Sequence, residues 1–479
     1  MAANPSIIHE QHEIERMRAM FRAQREAFHA APMPDARRRR ADLQRLKDAL
    51  IGHRDAFADA VHDDFGGRSR HETLAELLGS VQGIRYARRH VRGWMRPSRR
   101  QAGLLLATTS CRVVYQPKGV IGVIVPWNYP VFLSMGPLTC ALAAGNRVML
   151  KMSESAPATA EVMSRMLADA FDEDQVGVVL GEVEAGRAFS ALPFDHMLFT
   201  GSTLVGRQVM AAAAENLTPV TLELGGKSPT LIAEDVPMKM AAERICFGKA
   251  LNAGQSCVAP DYVLCPERRV DEFIREFSAA LEKMYPDMVR NEDYTSVVND
   301  RQWERLQAYL EEARAGGAEI IVLSPDGESQ TAGTRKMPIH LVRGARPEMR
   351  LMREEIFGPI LPIVPYRSLD EALAFINSRP RPLAINLFDR NPGRRQQVLD
   401  HTHSGGVCVN DTITHFLAED LPVGGVGDSG MGHYHAYEGF LTFSHHKAVL
   451  SRPLINTARV LYAPHGGWLQ NLLYKLFLR

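Results

Sequence analysis

The sequence predicts an α/β fold built on a parallel β-sheet, because short apolar, β-branched stretches alternate with helical stretches. A helix of small residues is predicted at 135–144, and a second α/β region extends from about Lys227 to His403. With 479 residues, the chain is long enough for two or three domains. The strands of the first region are predicted at residues 112–115 together with 119–125, and at 147–151, 176–180, 196–200 and 220–224.

Residues 1–100 precede these strands and are predicted to be helical. Apolar side chains recur at helical spacing through residues 41–61, at Leu43, Leu46, Leu50, Phe57 and Val61. Arginines cluster at 37–40 and again at 88–100. We interpret both clusters as solvated helix faces, with an anionic partner as the alternative, because the net charge of the chain is only +1.

The bulk composition is that of an ordinary globular protein, with 45% hydrophobic and 23% charged residues. A near-neutral net charge gives no general attraction to nucleic acid, so no nucleic-acid partner is expected. Six cysteines without a C-x-x-C pair do not suggest a disulfide framework, and residues 1–20 lack the apolar core of a secretory signal. We therefore expect a cytoplasmic protein.

Residues 465–479 form a short amphipathic stretch at the C-terminus. Its apolar residues lie at helical spacing, and it is too short to span a bilayer. The favoured interpretation is a terminal helix packed on its own chain or on a partner subunit. A lid over a substrate entrance and a weak membrane contact are the alternatives. The apolar positions are Trp468, Leu469, Leu472, Leu473, Leu476 and Phe477.

Three reactive side chains, each beside small residues, indicate covalent chemistry on a carbonyl carbon. Cys257 follows Gly254, which permits close backbone approach, and precedes Pro260, which prevents a helix from continuing through this loop. Glu223 begins the segment Glu-Leu-Gly-Gly-Lys, and Asn128 ends Pro-Trp-Asn. A thiol can attack a carbonyl, an amide can hold the oxyanion and a carboxylate can activate water. A lone cysteine is more often a small buried hydrophobic residue, so the pattern depends on all three.

Two strand ends have the residues of a dinucleotide site. After the strand at 196–200, Gly201 and Ser202 open a helix whose backbone N–H groups can hold an anion, although an ordinary strand-to-helix turn is the alternative. Lys151 and Glu154 follow another strand and are suited to bind the two hydroxyls of a ribose. Because a carboxylate there repels a 2′-phosphate, NAD is favoured over NADP.

In order and spacing, these segments resemble the aldehyde dehydrogenase family from about residue 41 to residue 450. Further matching segments are 151–154, 199–203 and 354–359. Residues 421–432 and 259–262 resemble the class 3 branch, within which the nearest likeness is to bacterial coniferyl aldehyde dehydrogenases. The resemblance implies a Rossmann-type NAD-binding domain (1–98 and 118–225), an α/β catalytic domain (226–426) and a small β arm (99–117 and 439–451).

The resemblance also implies a role for each matching residue. Cys257 is the nucleophile, Asn128 the oxyanion donor and Glu223 the base that activates water, with Glu355 as an alternative base. Binding of the cofactor is implied for Trp127, Lys151, Glu154, Gly201, Ser202, Val205, Glu355 and Phe357. Class 3 relatives accept both cofactors, so NADP remains an alternative. The histidines near the C-terminus lack a complete set of metal ligands at a suitable spacing, so no metal is expected.

The expected reaction is oxidation of an apolar aldehyde, either aromatic, phenylpropenoid or medium to long aliphatic, to its carboxylic acid. The predicted pocket wall is aromatic and aliphatic, which suits such a substrate. A membrane-surface fatty aldehyde dehydrogenase, a coenzyme A-acylating enzyme and a non-catalytic binding protein are the alternatives. Glu223 favours hydrolysis over acyl transfer. Alternation at residues 440–444 predicts a strand of the arm, whose open edge implies a homodimer, with a tetramer left open. The predicted wall comprises Tyr129, Tyr262, Thr412, Ile413, His415 and Phe416.

Overall fold

Three β-sheets organise the chain in the computed structural model, which describes residues 5–103, 106, 108–288, 290–324, 334–454 and 456–478. Two of the sheets are mainly parallel, which confirms the predicted α/β class. The third is small and antiparallel.

Helices form the N-terminal region, as predicted. The Asp35 side chain accepts a hydrogen bond from the Arg38 backbone N–H and so caps the second helix. The apolar pattern at 41–61 is divided between two helices at His53. The solvated face predicted for the first arginine cluster is wrong for Arg39, which is buried and donates hydrogen bonds to the carbonyls of Pro34 and Ala143. The helices are α1 (Pro5–Ala30), α2 (Ala36–Gly52), α3 (Arg54–Phe65) and α4 (Arg70–Trp94).

The small antiparallel sheet consists of β1 (Ser98–Arg100), β2 (Ser110–Pro117) and β16 (Ser444–Ser451). The predicted strand at 440–444 is wrong for residues 440–442, because α15 (Ala436–Thr442) occupies them and β16 begins only at Ser444. Phe440 is buried beside Trp94 and Tyr115, so tertiary packing overrides the local alternation. Residues 104, 105 and 107 of the predicted arm lie outside the described residues.

The first parallel sheet, which we call the cofactor sheet, has the order β15-β7-β6-β3-β4-β5. The stretch predicted as one strand at 112–115 and 119–125 is divided between β2 of the small sheet and β3 of this one. The strands are β3 (Val120–Ile124), β4 (Arg147–Lys151), β5 (Val176–Val179), β6 (His196–Gly201), β7 (Val220–Leu224) and β15 (Gly430–Met431). The helices are α5 (Phe132–Ala144), α6 (Pro157–Ala170), α7 (Val183–Ser190) and α8 (Thr203–Ala214).

The second large sheet, the catalytic sheet, has the order β10-β11-β12-β9-β8-β13-β14 and is parallel except at β10. Its strands are β8 (Pro229–Ile232), β9 (Tyr262–Pro266), β10 (Glu319–Leu323), β11 (Ile339–Arg343), β12 (Ile360–Tyr366), β13 (Ala384–Phe388) and β14 (Gly406–Val409). Its helices are α9 (Met238–Ala250), α10 (Val270–Met284), α11 (Asp300–Ala315), α12 (Arg350–Arg353), α13 (Leu369–Asn377) and α14 (Pro392–His401).

The predicted C-terminal helix is present as α16 (Trp468–Phe477), but its apolar side chains are exposed. Trp468 is 78% exposed and Leu478 is 77% exposed, whereas Gln470 is buried. Most of the apolar face of this helix is therefore not covered by the described part of its own chain, and Arg479 lies outside the described residues. A search of the described helices finds no segment with the length and apolar character of a membrane span.

Candidate active site

The predicted site residues from the first half of the chain lie at one edge of the cofactor sheet. Lys151 ends β4, Gly201 ends β6 and Glu223 lies near the end of β7, while Asn128 follows β3. These strands are parallel, so their carboxyl ends lie at the same edge. The strand order reverses between β3 and β6, and open α/β sheets bind ligands in the crevice at such a point.

The loop that carries Cys257 enters from the catalytic sheet through an unusual backbone turn. After α9, Asn252 and Ala253 both have left-handed backbone angles, with φ of 52° and 51°. Gly254 continues the turn with φ of 72°, and a Cβ atom there would lie 2.6 Å from the Gly358 carbonyl oxygen. Glycine is therefore required for the backbone contact, and the turn brings Cys257 towards the cofactor sheet.

The Cys257 side chain is half-buried and lies against an apolar cluster. The buried residues of this cluster include Val258 and Leu383, and Ile413 and Phe416 from the predicted pocket wall pack against the same cluster. Burial raises the pKa of the thiol, and the nearby carboxyls of Glu355 and Glu223 raise it further. A thiol in this state needs a neighbouring base to become a nucleophile.

Asn128 is held from several directions. It is 3% exposed, and its Nδ2 atom donates a hydrogen bond to the Gln255 carbonyl oxygen at 3.2 Å. Its backbone carbonyl oxygen accepts hydrogen bonds from Arg68 Nη1 at 2.9 Å and from Asn252 Nδ2 at 3.0 Å. These bonds connect Asn128 directly to the loop that carries Cys257.

Behind Asn128 lies a buried charged group that the sequence analysis did not identify. The fully buried guanidinium of Arg68 lies 3.2 Å from Glu76 Oε2 and 3.7 Å from Glu72 Oε2. Glu72 accepts hydrogen bonds from the Asn252 backbone N–H and from the Thr295 hydroxyl. The available signal was the spacing of 68, 72 and 76, which would place three charged residues on one face of a helix. In the structure, Glu72 and Glu76 lie on α4 and Arg68 precedes its first residue. Arg68 is therefore a positioning residue for Asn128.

Glu223 lies within electrostatic range of Cys257 in a different environment from that of Asn128. It is 4% exposed, and its Oε1 atom has no hydrogen-bond partner within the described part of the chain. Burial raises the pKa of this carboxyl well above its ordinary range. Its strand is flanked by β15, where Gly430 pairs with Glu223, and the Leu224 N–H donates to the Ser429 carbonyl.

The Glu355 carboxylate lies against Gly225, which follows β7, and a second polar cluster fixes its loop. Lys227 forms a close ion pair with Asp261 and donates to the carbonyls of Leu351 and Glu354. A Cβ atom at Gly225 would collide with the Glu355 carboxylate, so only glycine permits this approach. Burial, followed by the charge of Asp261, raises the pKa of Glu355 to about 8.

The aromatic residues predicted for the cofactor meet in the structure. The rings of Trp127 and Phe357 are 5.3 Å apart in an edge-to-face arrangement. Phe357 has φ of 48°, a strained conformation for a large side chain, and strain of this kind is concentrated at functional sites. Arg305 supports the strained loop by donating to the Ile356 carbonyl at 2.8 Å.

The start of α8 has the properties of an anion site. The Ser202 hydroxyl accepts from the Val205 N–H, and a Cβ atom at Gly201 would lie 2.5 Å from the Phe199 ring. Leu204 and Val205 are 70% and 42% exposed, so an apolar surface lies beside the helix N-terminus.

The end of β4 carries the predicted ribose-binding pair. Lys151 is buried, and its ammonium donates to the carbonyls of Met152 and Gly181. Burial lowers the pKa of Lys151 despite the opposing charge of Glu154. Glu154 itself is exposed.

The residues predicted to form the pocket wall lie in different parts of the structure. Tyr129 lies under the Arg68 guanidinium at 4.8 Å, and Phe416 lies in the cluster with Cys257. Tyr262 instead packs in a separate core cluster, against Phe375 and the guanidinium of Arg379. Thr412 donates to the Arg244 carbonyl in α9.

His415 lies beside Phe416, and burial lowers its pKa to about 4. Neither of its ring nitrogens has a hydrogen-bond partner among the residues described. Of the predicted wall, the structure therefore brings Tyr129, Ile413 and Phe416 to the nucleophile region and directs Tyr262 and Thr412 elsewhere.

Residues 7–449 match the model of the aldehyde dehydrogenase family. The chain belongs to this family. It is 55% identical over 470 residues to the "Probable coniferyl aldehyde dehydrogenase" of Pseudomonas aeruginosa, a comparison that covers 98% of each chain. The resemblance stated from the motifs is confirmed, and the protein is an aldehyde dehydrogenase that acts on small-molecule aldehydes.

Solved structures agree with this assignment. "Substrate bound state of Staphylococcus Aureus AldH" matches with a TM-score of 0.91 and 35% identity, covering 97% of this chain and 99% of that chain. Betaine aldehyde dehydrogenase from Staphylococcus aureus in complex with NAD+ matches with a TM-score of 0.81 and 25% identity, covering 91% and 90%. The predicted aldehyde dehydrogenase fold is confirmed.

Proposed function

We propose that this aldehyde dehydrogenase oxidises apolar aldehydes to carboxylic acids through intermediates bonded to Cys257. The observation that carries the proposal is a half-buried thiol, Cys257, within electrostatic range of the buried carboxyls Glu223 and Glu355, on a loop whose Gln255 carbonyl accepts a hydrogen bond from the Asn128 amide. These are the groups needed for attack on a carbonyl, for holding the oxyanion and for proton transfer.

In the first half of the reaction, the Cys257 sulfur forms a bond to the aldehyde carbon as its proton passes to Glu223. The oxyanion of the thiohemiacetal accepts hydrogen bonds from the Asn128 amide and the Cys257 backbone N–H. One amide hydrogen of Asn128 is already used for the Gln255 carbonyl, and the second serves the oxyanion. The carbonyl then re-forms as the aldehyde hydrogen leaves as hydride, which gives a thioester.

Before the second half, Glu223 releases the proton taken from Cys257 to solvent. It then accepts a proton from a water molecule that attacks the thioester, and this proton passes to the sulfur as it leaves. The carbon–sulfur bond breaks, the acid leaves and the thiol recovers its proton. Glu223 is the favoured base because Glu355 accepts a hydrogen bond from the Gly226 N–H and lies near the cations Lys227 and Arg305. A carboxylate at position 223 also favours hydrolysis over transfer of the acyl group to coenzyme A.

The residues present fit NAD as the cofactor. When bound, NAD supplies the hydride acceptor. Gly201 and Ser202 would hold its pyrophosphate at the start of α8, and Val205 would contact the adenine. Lys151 and Glu154 would bind the adenosine ribose, while Trp127, Glu355 and Phe357 would hold the nicotinamide end. The exposed carboxylate of Glu154 favours NAD over NADP, since it repels a 2′-phosphate.

The apolar surroundings of Cys257 support an aromatic or phenylpropenoid aldehyde such as coniferyl aldehyde. Phe416 and Ile413 supply this surface, and the Pseudomonas aeruginosa relative bears the corresponding name. A second candidate is a fatty aldehyde presented at a membrane surface, which the exposed apolar side chains of α16 favour. We also propose a homodimer in which the open edge of β16 pairs with a second copy.

Purified enzyme with NAD or NADP and a panel of coniferyl aldehyde, benzaldehyde, hexanal and decanal tests this function. We expect the highest kcat/KM for coniferyl aldehyde with NAD, and a free carboxylic acid as product even when coenzyme A is added. A preference for acetaldehyde would contradict the apolar pocket, and an acyl-coenzyme A product would contradict hydrolysis. A higher rate with decanal on lipid vesicles than without them would favour the second candidate.

A further inference from the structure

The structure brings together the two arginine clusters that are separate in the sequence. Arg37 and Arg40 belong to α2, whereas Arg88 and Arg92 belong to α4. The two helices pack against each other, and their apolar side chains belong to one core. Arginines that are distant in the chain therefore form one surface.

Between these helices lies an open groove of about 450 Å³, which we call the arginine groove. Small-molecule sites begin at about 300 Å³, so the groove is large enough for a ligand. Four of its seven lining residues are arginines, and none of the seven is acidic. They are Ala36, Arg37, Arg40, Ala41 and Gln44 of α2, and Arg88 and Arg92 of α4.

A second groove, of about 480 Å³, shares Arg88 with the first. It adds the cations Lys47, Arg85 and Arg89, together with one acid, Glu419. Burial raises the pKa of Glu419 to about 7, so this carboxyl is only partly ionised at neutral pH. Positive charge therefore extends along α4 beyond the arginine groove.

The acids of α2 are already used by cations outside the arginine groove. Asp42 forms ion pairs with Arg38 and Arg45. Asp48 forms one with Lys47. Within the described part of the chain, no ion pair or side-chain hydrogen bond involves the guanidinium of a groove arginine. The positive charge of the groove is therefore not neutralised by the chain itself.

The spacing makes this arrangement unfavourable without a counter-charge. Arg37 and Arg40 are three residues apart, and Arg88 and Arg92 are four residues apart. Each pair lies on one face of its helix, and like charges at these spacings destabilise a helix. An anion in the groove would offset the repulsion within and between the two helices.

The lining residues favour phosphate groups on a soluble molecule. A guanidinium matches the oxygens of phosphate with two parallel hydrogen bonds. Two walls of arginines are best served by several linked phosphates, which can contact both walls at once. A membrane-binding surface combines cations with large apolar side chains, and none of the seven lining residues has one.

From this arrangement we infer that the arginine groove binds a soluble anion made of several linked phosphate groups. None of its lining residues is among those proposed to bind the nicotinamide cofactor or to take part in aldehyde oxidation. The groove is therefore a second ligand site, and its occupation does not depend on the proposed reaction.

Calorimetric titration of the purified enzyme with inorganic tripolyphosphate tests the site. The nicotinamide cofactor is present at saturation, so that the anion site at the start of α8 is occupied. We expect tripolyphosphate to bind at least about tenfold more tightly than orthophosphate, because only the chain of phosphates reaches both helices. Equal affinities, or no binding of tripolyphosphate at low salt, would overturn the inference.

A pair of double variants locates the binding. Arg40→Gln/Arg92→Gln removes one guanidinium from each wall and should weaken tripolyphosphate binding by at least about tenfold. Arg268→Gln/Arg275→Gln changes the net charge equally at two exposed positions outside the groove, and it should keep the wild-type affinity. Both variants should retain wild-type aldehyde oxidation, which shows that they fold. Equal losses of affinity would show that binding follows the overall charge, and would overturn the site.

Vesicles of phosphatidylglycerol and phosphatidylcholine separate a lipid surface from a soluble ligand. Vesicle binding that is equal in the wild type and in Arg40→Gln/Arg92→Gln would support the soluble anion as the ligand of the groove. Vesicle binding that is lost in this variant, without binding of tripolyphosphate to the wild type, would assign the groove to a membrane surface and overturn the inference.

Discussion

The two sides of the active site differ in how their polar groups are held. On the amide side, hydrogen bonds and ion pairs connect successive residues. This side comprises Asn128, Asn252, Gln255, Arg68, Glu72 and Glu76. On the acid side, Glu223 and Glu355 each retain a buried carboxyl oxygen without a hydrogen bond and have no ion-pair partner in the described chain. Buried atoms without a hydrogen bond also occur on the amide side, but there Arg68 Nη2 and Glu76 Oε2 form an ion pair at 3.2 Å.

The difference follows from the chemistry that each side is proposed to perform. An oxyanion donor stabilises charge best when it is already in place, since no energy is then spent on reorganisation. A proton acceptor must change its charge and must remain accessible to water, so a fully satisfied carboxylate would be a poor base. The comparison predicts large kinetic effects on both sides.

Replacing Cys257 should have the largest effect on turnover. Without its thiol, Cys257→Ala has no nucleophile, and we expect dehydrogenase turnover to be lost entirely. Formation of NADH measures this directly. Cys111→Ala, which removes another half-buried thiol in β2, serves as the control and should retain activity. Normal turnover by Cys257→Ala would contradict the thioester mechanism.

On the acid side, Glu223→Gln should slow deacylation by roughly 10²–10⁴-fold, the usual contribution of a general base. Because the thioester would still form from the thiolate at high pH, a burst of NADH should precede the slow steady state. Rapid-mixing kinetics separates the two phases. Glu355→Gln is the matched comparison, and a larger loss of deacylation there would transfer the role of base to Glu355.

On the amide side, Asn128→Ala should reduce the acylation rate by about 10²–10³-fold, as expected for loss of one oxyanion donor. At a pH high enough to ionise the thiol, the burst phase itself should slow in Asn128→Ala but not in Glu223→Gln. Asn386→Ala removes another buried asparagine, which donates to Thr230 in the catalytic sheet, and provides the control. Equal burst rates in Asn128→Ala and the wild type would remove Asn128 from the mechanism.

Arg68→Lys tests whether the amide side works as a unit. A lysine cannot reproduce the planar fork that reaches the Asn128 carbonyl and two carboxylates, so we expect a loss of about tenfold in acylation. If Arg68 acts through Asn128, this loss should disappear in the Asn128→Ala background. Arg39→Lys changes another buried arginine that donates to a backbone carbonyl, and it should leave acylation unchanged. Additive losses would show that Arg68 only supports the fold.

The smallest expected effect concerns stability and pH. The pKa of Glu355 is raised from its ordinary value of 4.5 to about 8, so folding favours its protonated form. Its stabilising contribution is therefore present below about pH 4.5 and is lost as the pH rises through 8. Thermal melting of Glu355→Gln should show a smaller fall over this range than the wild type does. Parallel melting curves at every pH would show that Glu355 does not titrate in this way.

The strands and their functional ends could be predicted from the sequence, because buried parallel strands are continuous apolar runs and reactive residues follow them directly. Lys151, Gly201 and Glu223 lie at strand ends for this reason. The helix at 436–442 could not be predicted from the alternation at 440–444, because its packing partners lie far away in the chain. The same limit applies to Tyr262. It lies close to Cys257 in the sequence, but that gave no information about which side of the sheet its side chain faces.

Arg68 shows a related limit. Its spacing from Glu72 and Glu76 is visible in the sequence, but an exposed helix with paired charges has the same spacing. Only the fold shows that Arg68 and Glu76 are buried and that Arg68, which precedes α4, donates to the Asn128 backbone carbonyl. Charged residues that act through a distant partner are therefore the part of a catalytic site that a single sequence reveals least.

The pairing of β15 with β7 has a consequence for synthesis of the enzyme on the ribosome. The strand that carries Glu223 acquires its outer neighbour only when residues 430 and 431 have been translated, long after Cys257 and Asn128 have emerged. A nascent chain released before that point contains every residue proposed to take part in catalysis. Its proposed base, Glu223, would nevertheless lie on an open edge strand of the sheet. Premature termination late in translation should thus yield an inactive polypeptide rather than a weakened enzyme.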